Sequence, residues 1–256
     1  MVDGRGSAAW QQAGFAAALA GVAGSVDAIG YLSVFHIFTA HMTGNTVDAA
    51  VSAAQGQWRD ALARVVVVPL FVLGVTLGAA AIEVASRLGV RRPMPLALGL
   101  EGLLLLGAIV VGDVPGPRRA TAGAVANGLS PYVALLVLAM GLQNTALRRV
   151  GAISLRTTYI TGTLTTLAEE LVHYLGCWLD RAPGHPHDTA RAARQREAAA
   201  HVWLLAGVWC AYALGAIMGT WAELSWTGWS LSLPLVALAV IVVAALARPV
   251  PAPSGS

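Results

Sequence analysis

Six stretches of mostly apolar residues run along this chain, at about 14–36, 65–87, 94–112, 130–148, 201–221 and 229–247. Each has roughly the 20 residues that a helix needs to cross a hydrocarbon core. The second and third are separated by Arg87, Arg91, Arg92 and Pro93, the fifth and sixth by a tryptophan-rich turn. Trp10, Trp58, Trp178, Trp203, Trp221, Trp226 and Trp229 lie near predicted span ends, where an amphipathic ring favours the headgroup layer. Trp209 falls inside a span. Two segments, 36–60 and 155–178, are expected to dip into the membrane without crossing, with full crossing as the alternative.

Composition agrees with lipid as the solvent. Of 256 residues, 57% are hydrophobic and 11% charged, against about a quarter charged in an ordinary soluble domain. The first apolar stretch runs too long for a cleaved signal peptide and contains Asp27. The formal charge of +3 is small, and its placement says more than its size. With six crossings, Arg59, Arg64, Arg118 and Arg119 fall on one side and the other twelve of the sixteen basic residues, all arginine, on the opposite side. The positive-inside rule then puts both termini in the cytoplasm of a bacterial cell, with the chain in its cytoplasmic membrane. The arginines are spread over loop ends rather than gathered on one face, which argues against nucleic acid as a partner. Cys177 and Cys210 lack metal-ligand spacing, and His185 with His187 reads as part of a solvated loop. No metal and no cofactor are expected.

A polar step recurs between the greasy runs. Thr43-Gly44 falls on Thr161-Gly162 at an offset of 118, which also sets Val26, Asp27 and Ala28 on Asn144, Thr145 and Ala146. Leu77-Gly78-Ala79 matches Leu214-Gly215-Ala216, and Pro95-Leu96 matches Pro234-Leu235, at offsets of 137 and 139. One insertion, the charged linker 180–200, reconciles the three. The expected fold is therefore an all-α integral membrane protein of six transmembrane helices in two repeats of three. It comprises a cytoplasmic tail (1–13), a first repeat (14–112), a linker (113–129), a second repeat with the basic loop 180–200 (130–247) and a C-terminal tail (248–256). An odd number of spans inverts the second repeat, the plan of many secondary transporters, with sites at the repeat interface. Each repeat is expected to carry a broken or re-entrant half-helix after its Thr-Gly step. Asn45 with Asp48, and Thr166 with Glu169, have capping-box spacing. Such helix starts expose backbone N–H groups that could hold an anion between the two halves. A plain turn between a span and an interfacial helix is the alternative.

The stretches Ser25-Val26-Asp27-Ala28-Ile29-Gly30-Tyr31-Leu32, Ala40-His41-Met42-Thr43-Gly44-Asn45-Thr46, Gly141-Leu142-Gln143-Asn144 and Thr157-Thr158-Tyr159-Ile160-Thr161-Gly162-Thr163-Leu164 resemble the YoaK-like family. The likeness covers roughly residues 14 to 247, and Thr145 departs from the family's usual Gln-Asn-Ala order. The resemblance implies a bacterial six-span membrane protein, and it implies no substrate.

Polar residues inside the spans are the functional candidates, since an ionisable group in lipid is costly unless it faces a cavity or a partner. The substrate-binding candidates are Asp27, His41, Thr43, Gly44, Asn45, Gln143, Asn144, Thr161, Gly162 and Thr163. Asp27, His41 and Glu101 are the candidates for carrying a coupling proton. Asp27 has a structural alternative, a hydrogen bond across the repeat interface, and Glu101 could pair with a loop arginine. Glu83 and Arg87 have the spacing of a helix-end ion pair. Gly74-x-x-x-Gly78 and Gly215-x-x-x-Gly219 are close-packing faces, within the subunit or in a homo-oligomer. The expected function is secondary transport or permeation of a small solute or ion, anions included, with the lipid bilayer as the other partner. An accessory membrane subunit is the alternative. An enzyme is not expected, because no nucleophile motif or zinc-type pair accompanies His41 and Asp27.

Overall fold

Apolar runs punctuated by glycine, proline and short polar turns fold into helices. The computed structural model describes residues 4–34, 36–90, 92–113, 130–147, 160–179, 189–226 and 228–247. Among them lie eight helices: α1 (Gly4–Ser33), α2 (Met42–Ala54), α3 (Trp58–Arg87), α4 (Pro93–Asp113), α5 (Pro131–Leu147), α6 (Ile160–Leu179), α7 (Thr189–Ser225) and α8 (Ser232–Ala247). Gln11–Ser33, Trp58–Arg87, Pro93–Gly112 and Gln195–Ser225 are long and apolar enough to cross a membrane, while Pro131–Ala146 and Ser232–Ala247 are shorter apolar helices. Local chemistry sets several ends. Gly56, with φ +76°, closes α2 in a conformation that a side chain would strain. The Ser130 carbonyl accepts the first bond of α5, with Pro131 at the position where a missing N–H costs nothing. The expected Glu83–Arg87 pair forms at 2.8 Å on the exposed end of α3.

The glycine faces act inside the subunit. A Cβ on Gly215 would lie 2.0 Å from the Gly21 carbonyl, and one on Gly219 2.5 Å from that of Ser25, so α1 and α7 touch backbone to backbone and run parallel. Gly74 meets Leu138 and Gly78 meets Leu142 in the same way, so α3 and α5 are parallel too. Mid-helix Gly102 of α4 packs on Leu235 and Leu238 of α8. Arg92, ten residues earlier, donates to the Leu246 carbonyl at the far end of α8. That order makes α4 and α8 antiparallel. Further packing joins α1 to α5 and α8, α4 to α3 and α5, α2 to α3, α6 to α7, and α7 to α8.

The main core gathers Leu19, Ile29, Leu98, Leu105, Leu136, Met140 and Leu238 from α1, α4, α5 and α8. A second cluster holds Val34 and Ile37, from the link after α1, against Ala63, Val67, Val133 and Val137 of α3 and α5. Outward faces stay apolar: Val72, Leu73 and Leu77 on α3, Leu214, Ile217 and Met218 on α7, Val236, Val240 and Val243 on α8 are all exposed. A helix apolar all round suits lipid.

Two expectations are corrected. Residues 189–200, read as part of a loop, begin α7; the run TARAARQREAAA is rich in alanine, arginine, glutamine and glutamate, all strong helix formers. The remainder of that linker, with His185 and His187, lies outside the described residues. The Thr-Gly steps do not precede their helices either. Thr43-Gly44 and Thr161-Gly162 sit within the first turns of α2 and α6. Asn45 and Asp48 make no capping box, since the N-cap of α2 is His41 without a side-chain cap bond. Thr166 bonds the Gly162 carbonyl at 3.1 Å, one turn back along α6.

Candidate functional site

Asp27 sits two turns from the end of α1 and is 3% exposed. A carboxylate there needs donors, and the chain supplies them by folding back. Its Oδ1 accepts from the Thr39 amide at 2.8 Å, the Thr39 hydroxyl at 2.9 Å and the Ala40 amide at 3.0 Å. Its Oδ2 takes the His41 Nδ1 and, at 2.9 Å, the Tyr212 hydroxyl of α7. The two amides can only donate, so Oδ1 must act as an acceptor throughout. Charge-assisted bonds of this kind are roughly twice as strong as neutral ones.

Folding back is what brings residues 39–41 to that depth. Asp27 precedes the end of α1 by six residues, about 9 Å of helix at 1.5 Å per residue. The link after α1 returns by that distance before α2 begins. Non-helical backbone at depth has to be buried in protein or line a wet cavity. Here Val34 and Ile37 pack on α3 and α5, and Asn45 closes the loop with a matched pair of bonds. Its Oδ1 accepts from the Phe38 amide at 2.9 Å and its Nδ2 donates to the Phe38 carbonyl at 2.7 Å. Gly44 leaves room for the same residue, since a Cβ there would meet the Phe38 ring at 3.3 Å.

Beside the carboxylate opens a groove of about 220 Å³ between α1 and α7, lined by Asp27, Ala28, Tyr31, Leu32, Phe38, Tyr212, Ala216 and Thr220. Aromatic rings follow one another around it: Tyr31 lies 4.7 Å from Phe38, Phe38 5.3 Å from His41, and His41 5.9 Å from Tyr212. His36 is exposed with φ +60° and sets its ring edge-on to Tyr31. The His41 side chain is 30% exposed. The neighbouring Asp27 carboxylate holds its imidazole above the usual histidine pKa, outweighing partial burial.

The other candidates lie elsewhere. Thr43 is exposed on α2. Gln143 of α5 is buried and donates to the Leu19 carbonyl at 2.9 Å, tying α5 to α1. Asn144 and Thr163 are buried, Gly162 is half-buried, and the Thr161 side chain falls outside the described set. Among the described residues helices α2 and α6 do not pack on one another, so the two elements that carry the Thr-Gly steps lie apart. Glu101 is 0% exposed on the packed stripe Ala97, Leu98, Leu105, Ala108 of α4. Neither of its carboxyl oxygens has a hydrogen-bond partner among the described residues, a loop arginine included. Sequence reasoning missed Tyr212, Thr39, Tyr31 and Phe38. The signal for Tyr212 was its place two residues before the repeated Leu-Gly-Ala, in a span with few other polar groups.

Comparison with known proteins bears out the resemblance. The profile of the family described as "Protein of unknown function (DUF1275)" matches residues 15–244. The "UPF0700 transmembrane protein YoaK" of Bacillus subtilis (strain 168) is 28% identical over 158 residues, covering 58% of this chain and 62% of that protein. No solved structure matches.

Proposed function

The chain belongs to the DUF1275 family, whose activity is unknown, and on that premise we propose that this membrane protein is a transporter or permease for a small solute. Its site is the groove between α1 and α7, where two inverted halves, α1–α4 and α5–α8, meet. The observation that carries the reading is the Asp27–Tyr212 bond on the groove wall, which joins the halves.

Three further observations support the inverted arrangement. Exchange α1 with α5, α2 with α6, α3 with α7 and α4 with α8, and the set of packed neighbours is unchanged: α1·α7 becomes α5·α3, α4·α5 becomes α8·α1, and α2·α3 becomes α6·α7. Helix directions agree as well. If α2 and α6 re-enter, α1, α4 and α7 cross one way and α3, α5 and α8 the other, which matches parallel α1/α7 and α3/α5 and antiparallel α4/α8. Were both short helices to cross, α4 and α8 would run parallel; were only one to cross, α1 and α7 would oppose each other. Finally, the sequence offsets of 118 and 137 carry Asp27 onto Thr145 and Tyr212 onto Val75. Thr145 donates to the Val75 carbonyl at 3.0 Å, so equivalent positions are bonded in both halves.

With six crossings the arginine asymmetry puts both termini in the cytoplasm. The two halves rock about their glycine-lined contacts and expose the groove alternately to each side, as inverted repeats permit. His41, partly exposed and bonded to Asp27, is the proton-coupling group. Uptake of a solute panel into proteoliposomes, with and without a pH gradient, tests the reading. Saturable uptake by the native protein that is lost in Asp27→Asn and weakened in Tyr31→Leu is expected. Equal permeability of native and variant liposomes to every solute contradicts it.

A further inference from the structure

The groove contains one acid, aromatic walls and no basic side chain of its own. Asp27 is the only charged residue among its lining groups; Tyr31, Phe38 and Tyr212 present rings, and Thr220 a hydroxyl. An anion would meet a carboxylate among aromatic rings, with nothing in the lining itself to offset the negative charge. A cation would find both favourable. The space, about 220 Å³, is below the roughly 300–1,000 Å³ of pockets for drug-sized ligands, which selects a compact molecule.

The charge of the floor depends on His41. Its Nδ1 faces Asp27, whereas its Nε2 has no hydrogen-bond partner among the described residues and the side chain is part-exposed. An imidazolium can therefore release the Nε2 proton to water while keeping the Nδ1–H bond to the carboxylate. The loop stays fastened and the pair changes from neutral to singly negative. The titratable groups facing His41 are Asp27 from α1 and Tyr212 from α7. On α3, against which α2 packs, Arg64 donates to the Asp60 carbonyl, and among the described residues the only ion pair of His41 is with Asp27.

We propose that the α1–α7 groove binds a small organic ammonium ion, and that its binding is linked to loss of the Nε2 proton of His41, one proton leaving for each cation taken up. This rests on the groove being the solute site. Among the anions and cations open at the level of sequence, the groove's chemistry selects the cation.

The test uses purified full-length protein in detergent, titrated with benzyltrimethylammonium, benzoate and benzyl alcohol between pH 5 and 9. Benzyltrimethylammonium affinity should rise about tenfold per pH unit below the His41 pKa and level off above it, because only the deprotonated fraction is competent. Proton release, read with an indicator dye in weak buffer, should approach one per site on the acid side. His41→Gln should bind the cation with a flat pH profile, and Tyr31→Leu should bind more weakly at every pH. Tighter binding of benzoate, a flat profile in the native protein, or no binding of the ammonium ion by protein that remains folded each overturns the proposal. Cation binding with proton release but no uptake into proteoliposomes would leave this assignment standing and remove the transport reading. Uptake restricted to anions would do the reverse.

Discussion

Asp27 of α1 and Thr145 of α5, which the sequence offset of 118 sets on one another, each reach the helix that runs parallel to their own. The resemblance ends there. Thr145 makes one neutral bond, to the Val75 carbonyl. Asp27 gathers donors from two loop residues, a histidine and a tyrosine. A neutral hydroxyl is sufficient where two helices merely need to keep register. A charge is retained where a non-helical strand of backbone has to be held at depth and where a groove opens beside it. In the proposed arrangement this asymmetry assigns the chemistry to the first half, and paired substitutions at residues 27 and 145 and their neighbours test it.

The largest effect is expected from Asp27→Ala. Removing the acceptor strands the Thr39 and Ala40 amides and leaves His41 without its partner, a loss of about 3–5 kcal/mol as for other broken buried pairs. Thr145→Ala should cost far less, and thermal unfolding in detergent compares the two directly. Equal losses would remove the asymmetry.

Next comes the helix contact beneath the groove. Gly215→Ala drives a Cβ into the Gly21 backbone, whereas Gly78→Ala meets its nearest neighbours at 3.2 Å and can be accommodated by a small shift. Overpacking of the first kind costs about 1–3 kcal/mol. The first variant should lower the unfolding midpoint clearly more than the second, and the reverse order would contradict the parallel α1/α7 contact.

Smaller again is the paired comparison of Tyr212→Phe with Thr145→Val. A bond to a charged acceptor is worth about 1.5–3 kcal/mol and a neutral one about 1. Measured stabilities should rank the two in that order. The smallest effect is the pH dependence. The pKa of His41 is raised in the folded chain above its ordinary value of 6.5. Its contribution to stability is then complete below that value and fades as pH rises through the folded pKa. A midpoint that falls over that alkaline window in the native protein, and stays level in His41→Gln, is the expected outcome; a midpoint that rises there contradicts the pairing.

Much of this arrangement is legible in the chain. Six apolar runs, the matched glycine faces and the buried acid at residue 27 follow from lengths, periods and the cost of charge in lipid. The Thr-Gly steps were misread because N-cap and first-turn residues share the same local spacing. What distinguishes them is a tertiary fact, the Phe38 ring lying over Gly44. Tyr212 was invisible for a related reason. It meets Asp27 across 185 residues of chain, and a single tyrosine in an apolar span carries no period. The helical start of α7 was hidden by charge, which composition reads as loop even when the residues favour helix.

The inversion itself is tested most directly by the sidedness of single cysteines in a chain whose Cys177 and Cys210 are replaced by alanine. Gln55→Cys, Leu88→Cys and Ser225→Cys place thiols at the α2–α3 turn, the end of α3 and the end of α7, and a membrane-impermeant maleimide applied to intact cells and to inverted vesicles reports which face each occupies. With α2 and α6 re-entering, Gln55→Cys and Ser225→Cys react from one face and Leu88→Cys from the other. Reaction of Gln55→Cys and Ser225→Cys from opposite faces would mean that α6 crosses the bilayer, and reaction of Gln55→Cys from the cytoplasmic face would mean that α2 does. In either case the two halves would no longer be inverted copies.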